Sequence, residues 1–254
     1  MASAVTTEIR DQIMIITLNR PDAMNAVNQV LADELAQSLD ALDANDDVTV
    51  GILTGAGRGF CAGMDLKEFV STGMPLVGDR GFGGITERAS RKPLVCAVEG
   101  FALAGGLELA LSTDLIVASR VAKFGIPEVT VGLFAAAGAL QRLPRVLPYA
   151  RAMKMALTGE PITAEEAYEF GMVAELCDKG EALNTAIDLA SRIAKNAPLA
   201  LAASKELIRE MQGRTEAEFW FYQKSQLDHV FNSDDGKEGA TAFAEKRAPN
   251  WNGR

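Results

Sequence analysis

The stretch FALAGGLELALSTD, residues 101–114, sets one carboxylate, Glu108, among Leu107, Leu109, Ala110 and Leu111, just after the pair Gly105–Gly106. A carboxylate in apolar company is costly unless it is paired or neutralised. Burial also raises its pKa, which a general acid or base working near neutral pH requires. A second candidate stands in KFGIPEVTVGL (123–133), where Glu128 follows Pro127 amid apolar residues. The single histidine, His229, lies in a late, charged, helical-looking segment, so acid–base chemistry in this chain falls to carboxylates. Each glutamate also has a plainer use. Glu108 in a first helical turn complements the helix dipole, and Glu128 in a loop can bond nearby backbone. The 20-residue gap between them carries no information by itself.

Two turns of small residues accompany these carboxylates. Ala62–Gly63–Met64 and Ala104–Gly105–Gly106 each follow a buried-type strand. Small residues let a ligand approach the backbone, and a turn entering a helix leaves N–H groups unpaired. Brought together, two such turns would form an oxyanion hole of main-chain donors; taken singly, each is an ordinary tight turn. The longer stretch LTGAGRGFCAGMDL (53–66) is not a dinucleotide fingerprint, because Phe60 stands where the third glycine belongs. Cys61 as a nucleophile would need a base, and most lone cysteines are simply buried.

The elements that must hold these residues can be read from hydrophobic periodicity. IMIITL (13–18), VTVGILTG (48–55), PLVCAVEG (93–100) and DLIVAS (114–119) are continuous apolar strands. Asn28 opens a helix with Leu31, Leu35, Leu39 and Leu42 on one face. The alternation predicts parallel sheet covered by helices. STGMPLVGDRGFGG (71–84), with five glycines and one proline, is expected to be a mobile loop, either a binding lid or a surface insertion. The second half is helical. Thr163 with Glu166 forms a capping box, with Gly171 at the far end. A helix over about 181–195 is expected to end before Pro198, another runs over about 199–212 to Gly213, and Thr215 with Glu218 opens a third. That last helix carries Phe219, Trp220, Phe221 and Tyr222, too many consecutive aromatics for one core, so some should meet a partner subunit.

Composition bounds the partners. With 254 residues, 48% hydrophobic, the chain suits one large domain or two small ones, and a net charge of −9 argues against nucleic-acid binding. No apolar run approaches the roughly 20 residues of a membrane span. The opening MASAVTTEIR lacks the pattern of a signal peptide, and Cys61, Cys96 and Cys177 have no metal-type spacing, so a cytoplasmic protein is expected.

Four segments, NRPDAMNA (19–26), FCAGMDLKEF (60–69), EGFALAGGLELALSTD (99–114) and FGIPEVTVGL (124–133), occur in this order. Together they resemble the crotonase, or enoyl-CoA hydratase/isomerase, superfamily. LTGEPITAEEAYEFGMV (157–173) and AFAEKRAPNW (242–251) extend the likeness over nearly the whole chain. The resemblance implies a single α/β domain, 1–254: a spiral of ββα repeats over about 1–195 and a helical trimerisation region over about 196–254. It further implies homotrimers or dimers of trimers.

The same resemblance implies site roles. The N–H groups of Met64 and Gly105 would be the oxyanion-hole donors, and Glu108 and Glu128 the acid–base pair of a hydratase. Glu108 would deprotonate water, and Glu128 would deliver a proton to C2. Contacts to the acyl-CoA substrate would come from Arg20 and Ala23, from Ala62, Met64, Asp65, Leu66 and Lys67, from Gly105 and Gly106, and from Phe134. Lys246 would reach coenzyme A in a neighbouring subunit. Coenzyme A is part of the substrate, and no metal or separate cofactor is implied. A few local cations would then offset a screened net negative charge.

One segment departs from the family pattern. After Gly132 the chain reads LFAAAGALQRL (133–143), in place of a proline and a glycine-rich turn. The bulk of Phe134 and Met64, with the 71–84 loop, points to an unusual acyl group. Three other activities fit the family. They are Δ3–Δ2 enoyl-CoA isomerisation, dehydration of a specialised hydroxyacyl-CoA of the carnitinyl type, and non-catalytic acyl-CoA binding.

Overall fold

In the computed structural model, which describes residues 3–254, the apolar runs become the strands of two sheets. In chain order the strands are β1 (Val5–Arg10), β2 (Ile13–Leu18), β3 (Val50–Gly55), β4 (Leu94–Val98), β5 (Phe101–Leu103), β6 (Leu115–Ser119), β7 (Lys123–Gly125), β8 (Ile162–Thr163) and β9 (Glu175–Cys177). The helices are α1 (Gln29–Ala44), α2 (Leu66–Thr72), α3 (Gly105–Ala110), α4 (Ala139–Val146), α5 (Tyr149–Thr158), α6 (Ala164–Glu169), α7 (Ala182–Ala194), α8 (Pro198–Glu210), α9 (Glu216–Phe231) and α10 (Asp234–Glu245). The first two residues of the expected domain lie outside the described residues.

The large sheet runs β1-β2-β3-β4-β6-β9 and is parallel throughout except for the β1–β2 hairpin. β1 was not among the expected strands. Its side chains beyond Val5 are exposed, so it carries little of the apolar signal that marks the inner strands. Alternate residues of the inner strands enter two different cores, as a sheet covered on both faces requires. Met14, Ile16, Leu53 and Cys96 pack towards α1, whose Leu31, Leu35, Leu39 and Leu42 are all fully buried. Ile15, Ile52, Val95 and Val117 pack towards α7 through Ala182, Ala186 and Ala190. The small sheet, β5-β7-β8, is separate, and its β5 begins at Phe101 shortly after β4 ends at Val98.

The predicted helix signals mostly act as read. The Asn28 side chain accepts from Leu31 N at the start of α1, and both capping boxes, Thr163/Glu166 and Thr215/Glu218, are formed. Pro198 is different. It opens α8 at a position where a missing N–H costs no hydrogen bond, four residues after α7 has ended at Ala194. The 71–84 segment is pinned at its far end: a 3₁₀ turn at Gly78–Arg80 leads to Phe82, which is buried, and Leu76 bridges to Phe82.

The last three helices are tied to the end of the large sheet. Lys205 Nζ lies 2.6 Å from Asp114 Oδ2, beside β6, and donates to Lys92 O at 2.7 Å. Trp220, Phe221, Phe231 and Phe243 remain exposed along α9 and α10. Among the described residues, no helix is long and apolar enough to cross a membrane.

Candidate active site

Two chain reversals meet where the large sheet gives way to the small one. Cys61 bridges to Ala102 and Val27 to Met64, which aligns the 61–64 turn beside β5. Gly63 takes φ 108°, and a Cβ there would lie 2.6 Å from the Ala104 Cβ and 3.1 Å from Gly105 N. No larger residue would let the turns touch. Ala104 itself sits at φ 51°, ψ −131°, a strained conformation for a residue with a Cβ. Its carbonyl accepts from Leu107 N at 2.9 Å and Glu108 N at 3.2 Å, which starts α3. A Cβ on Gly105 would lie 3.5 Å from Met64 N and 2.6 Å from the Phe82 ring. Neither the Met64 nor the Gly105 amide donates to an acceptor among the described residues. Two adjacent free donors beside an apolar cavity favour negative charge on a bound oxygen.

Glu108 projects from α3 and is 2% exposed. Its Oε1 accepts from Ala137 N at 2.7 Å and from Ala139 N at 3.1 Å. Burial nevertheless pushes its pKa up to about 7; the two amides and Arg142 pull it down, and the charge of Glu128 adds a smaller upward push. Glu128 lies in the 3₁₀ turn Pro127–Val131, closed by Gly132 at φ 78°. Its pKa is also raised by burial, and its buried Oε2 has no partner among the described residues. Two amides favour the anion of Glu108, whereas nothing comparable faces Glu128 Oε2. Burial raises both carboxyls, and they differ in how their oxygens are held.

Both glutamates border one cavity of about 310 Å³. Apart from Thr130 the rest of its lining is apolar, and includes Met64, Leu66, Phe69, Met74 and Phe82. Phe134 stands at the lip, 65% exposed.

Of the residues expected at the site, Ala62, Met64, Leu66, Gly105, Glu108, Glu128 and Phe134 converge on this cavity. Gly106 does not: a Cβ there would lie 2.2 Å from Cys61 O, so its smallness serves packing of α3 against the 61–64 turn. Asp65 caps α2 and pairs with Arg20 at 3.1 Å, and Arg20 also lies 3.7 Å from Glu68, so the charge of Arg20 is already engaged. Ala23 ends a 3₁₀ turn outside the cavity lining, and Lys67, next to the lining residue Leu66, and Lys246 are exposed and not part of that lining.

Sequence reasoning missed three supports. The amides of Ala137 and Ala139 leave no mark in residue type, although Gly138 at φ 105° marks the bend that presents them. Phe82, inside the glycine-rich segment, forms the wall against Gly105. Asn25, fully buried at φ 55°, donates to the carbonyls of Ala56, Gly59 and Phe60 and so supports the turn below Cys61. Cys61 is no nucleophile in this setting: it is fully buried, and burial pushes its thiol up to about 12.

Known proteins carry the same arrangement of chain. An enoyl-CoA hydratase of Mycobacterium tuberculosis is 42% identical over 97% of this chain and 96% of its own length. A carnitinyl-CoA dehydratase of Proteus mirabilis is 37% identical over 100% of both. The crystal structure of an enoyl-CoA hydratase from Mycobacterium marinum matches with a TM-score of 0.97 at 53% identity, covering 100% of each chain. The family model described as enoyl-CoA hydratase/isomerase matches residues 8–254. With its mixed sheet, apposed turns and paired glutamates, the chain belongs to the enoyl-CoA hydratase/isomerase family and has the crotonase fold.

Proposed function

We propose that the chain is an enoyl-CoA hydratase that adds water across the 2,3 double bond of a 2-enoyl-CoA. One observation carries this reading: two buried glutamates border the same cavity as two adjacent unpaired amides. The thioester oxygen accepts from Met64 N–H and Gly105 N–H, and as water adds to C3 it gains negative charge. Each preorganised donor of this kind contributes roughly 3 kcal/mol to the transition state. Glu108, ionised and held by the 137–139 bend, takes a proton from the water. Glu128, whose Oε2 has no partner among the described residues, gives its proton to C2. Dehydration of a 3-hydroxyacyl-CoA runs through the same groups in reverse, as the carnitinyl-CoA dehydratase relatives would use it.

The substrate's coenzyme A would lie across α2, with Lys67 near its phosphates and Lys246 of a neighbouring subunit adding a second cation. A homotrimer, or a dimer of trimers, would supply that neighbour and cover Trp220, Phe221 and Phe231. Three buried free cysteines suit a reducing cytoplasm.

The test measures hydration of 2-enoyl-CoA thioesters, and turnover of 3-enoyl-CoA, by native protein, Glu108→Gln and Glu128→Gln. Hydration is expected to fall by roughly 10²–10⁴-fold in each variant. Full hydratase activity in either variant defeats the two-carboxylate reading, and turnover of 3-enoyl-CoA alone makes the protein an isomerase.

A further inference from the structure

The bend that holds Glu108 is itself gripped. Arg142, half-buried on the first turn of α4, donates through Nη1 to Ala137 O at 3.2 Å and through Nη2 to Thr86 O. Its own amide bonds Gly138 O at 3.0 Å. Gly138 leaves the room for this: a Cβ there would lie 2.1 Å from Arg142 Nη1. One guanidinium therefore spans two walls of the cavity. On one side is the peptide run whose Ala137 and Ala139 amides hold Glu108 Oε1. On the other is the chain just beyond Phe82, the ring that backs Gly105. A guanidinium has several donors in a fixed plane and can tie two carbonyls at once, whereas an ammonium is a single point.

We propose that Arg142 is a positioning residue for Glu108, fixing the 137–139 bend against Thr86 so that both amides stay on Oε1 and the other carboxylate oxygen is left to the substrate water. The proposal rests on the reading of Glu108 as an acid–base group. Arg142 does not reach the cavity lining, and it acts through the main chain of its neighbours. The charged groups around the pair are Glu128 from the 3₁₀ turn, Arg145 from α4 and Arg209 from α8. Removing the Arg142 cation leaves the Glu108 anion less favoured.

The experiment compares native protein with Arg142→Met, Arg142→Lys and Gly138→Ala on one 2-enoyl-CoA, recording kcat, KM and the pH dependence of kcat. Misplacement of a reacting group by about 1 Å costs roughly 100-fold, so Arg142→Met is expected to lose roughly ten- to a hundredfold in kcat. Its KM is expected to change little, and the rising limb of the pH profile should move to higher pH. Arg142→Lys should restore the position of that limb, since it restores the charge. Its kcat should stay below native, since an ammonium does not span both carbonyls. Gly138→Ala displaces the guanidinium and should lower kcat with KM again spared. If Arg142→Met does not fold, Arg142→Lys and Gly138→Ala carry the same comparison.

Native kcat and an unmoved pH limb in Arg142→Met overturn the proposal, as does Arg142→Lys matching native kcat. Glu108→Gln in the same assay separates the two failures. If it is inactive while the Arg142 variants behave as native, only the positioning role falls. If it keeps full activity, the two-carboxylate reading falls, and the positioning role with it.

Discussion

Glu108 and Glu128 border one cavity, yet the chain seats them in opposite ways. Glu108 rises from a helix, is 2% exposed, and has one oxygen fixed by two amides. Glu128 rides a 3₁₀ turn next to exposed Val129 and Val131, and its buried Oε2 has no partner among the described residues. Donors on one oxygen fix the direction of a carboxylate, whereas a carboxyl with no donor is free to turn. The proposed roles of Glu108 as base and Glu128 as acid rest on that difference of seat, since the residue types are identical.

The Gln substitutions already described carry the largest expected effect. A sharper test shortens each side chain by one methylene. Glu108→Asp withdraws the carboxylate from amides that cannot follow, and kcat should fall by roughly 100-fold. Glu128→Asp sits on a turn at the protein surface that can adjust, and its loss should be clearly smaller. Equal losses in steady-state rates would erase the contrast between the two seats.

The next effect is on stability and has the opposite sign to the effect on activity. The pKa of Glu108 is raised on folding from 4.5 to about 7, so the folded chain binds more protons than the unfolded chain in that window. Its contribution is fully present below about pH 4.5 and is lost as pH rises through about 7. At pH 8 the ionised Glu108 then costs at most about 3 kcal/mol. Glu108→Gln should therefore be more stable than native at pH 8 by up to that amount, and no more stable at pH 4, as measured by urea unfolding at both pH values. A variant that is inactive yet no more stable at pH 8 would show that burial does not raise the Glu108 pKa.

The smallest effect is expected at the lip. Phe134 follows directly on the turn that carries Glu128 and is largely exposed, so Phe134→Ala should change kcat/KM on short substrates by less than about tenfold. It should improve bulky or branched acyl groups relative to short ones. An unchanged ranking across chain lengths would remove Phe134 from acyl selection.

Legibility in the sequence followed the same division. The leucine face of α1, the apolar inner strands and both capping boxes were readable because each is written in side-chain type at a fixed period. Glu108 and Glu128 were readable as misfits in apolar company. What stayed hidden was carried by main chain. The amides of Ala137 and Ala139 belong to a run of alanines that read as a departure at the acyl end. Only the structure shows that this run also grips the candidate base. Arg142 carried no signal in the sequence, since its partners are two carbonyls 56 and 5 positions away in the chain. Gly106, which the family resemblance places at the substrate, packs on Cys61 in the structure.

The peptide between Ala104 and Gly105 is trans, so its N–H points opposite to a carbonyl that Leu107 and Glu108 hold inside α3. That donor, like the Met64 amide, is placed by main-chain direction and does not depend on either carboxylate. Replacing both glutamates would leave the place intact as a seat for an electron-rich carbonyl oxygen. Under the proposed function, the side chains around this seat could change, and with them the bond made or broken, while the two amides would still stabilise an enolate-like oxygen.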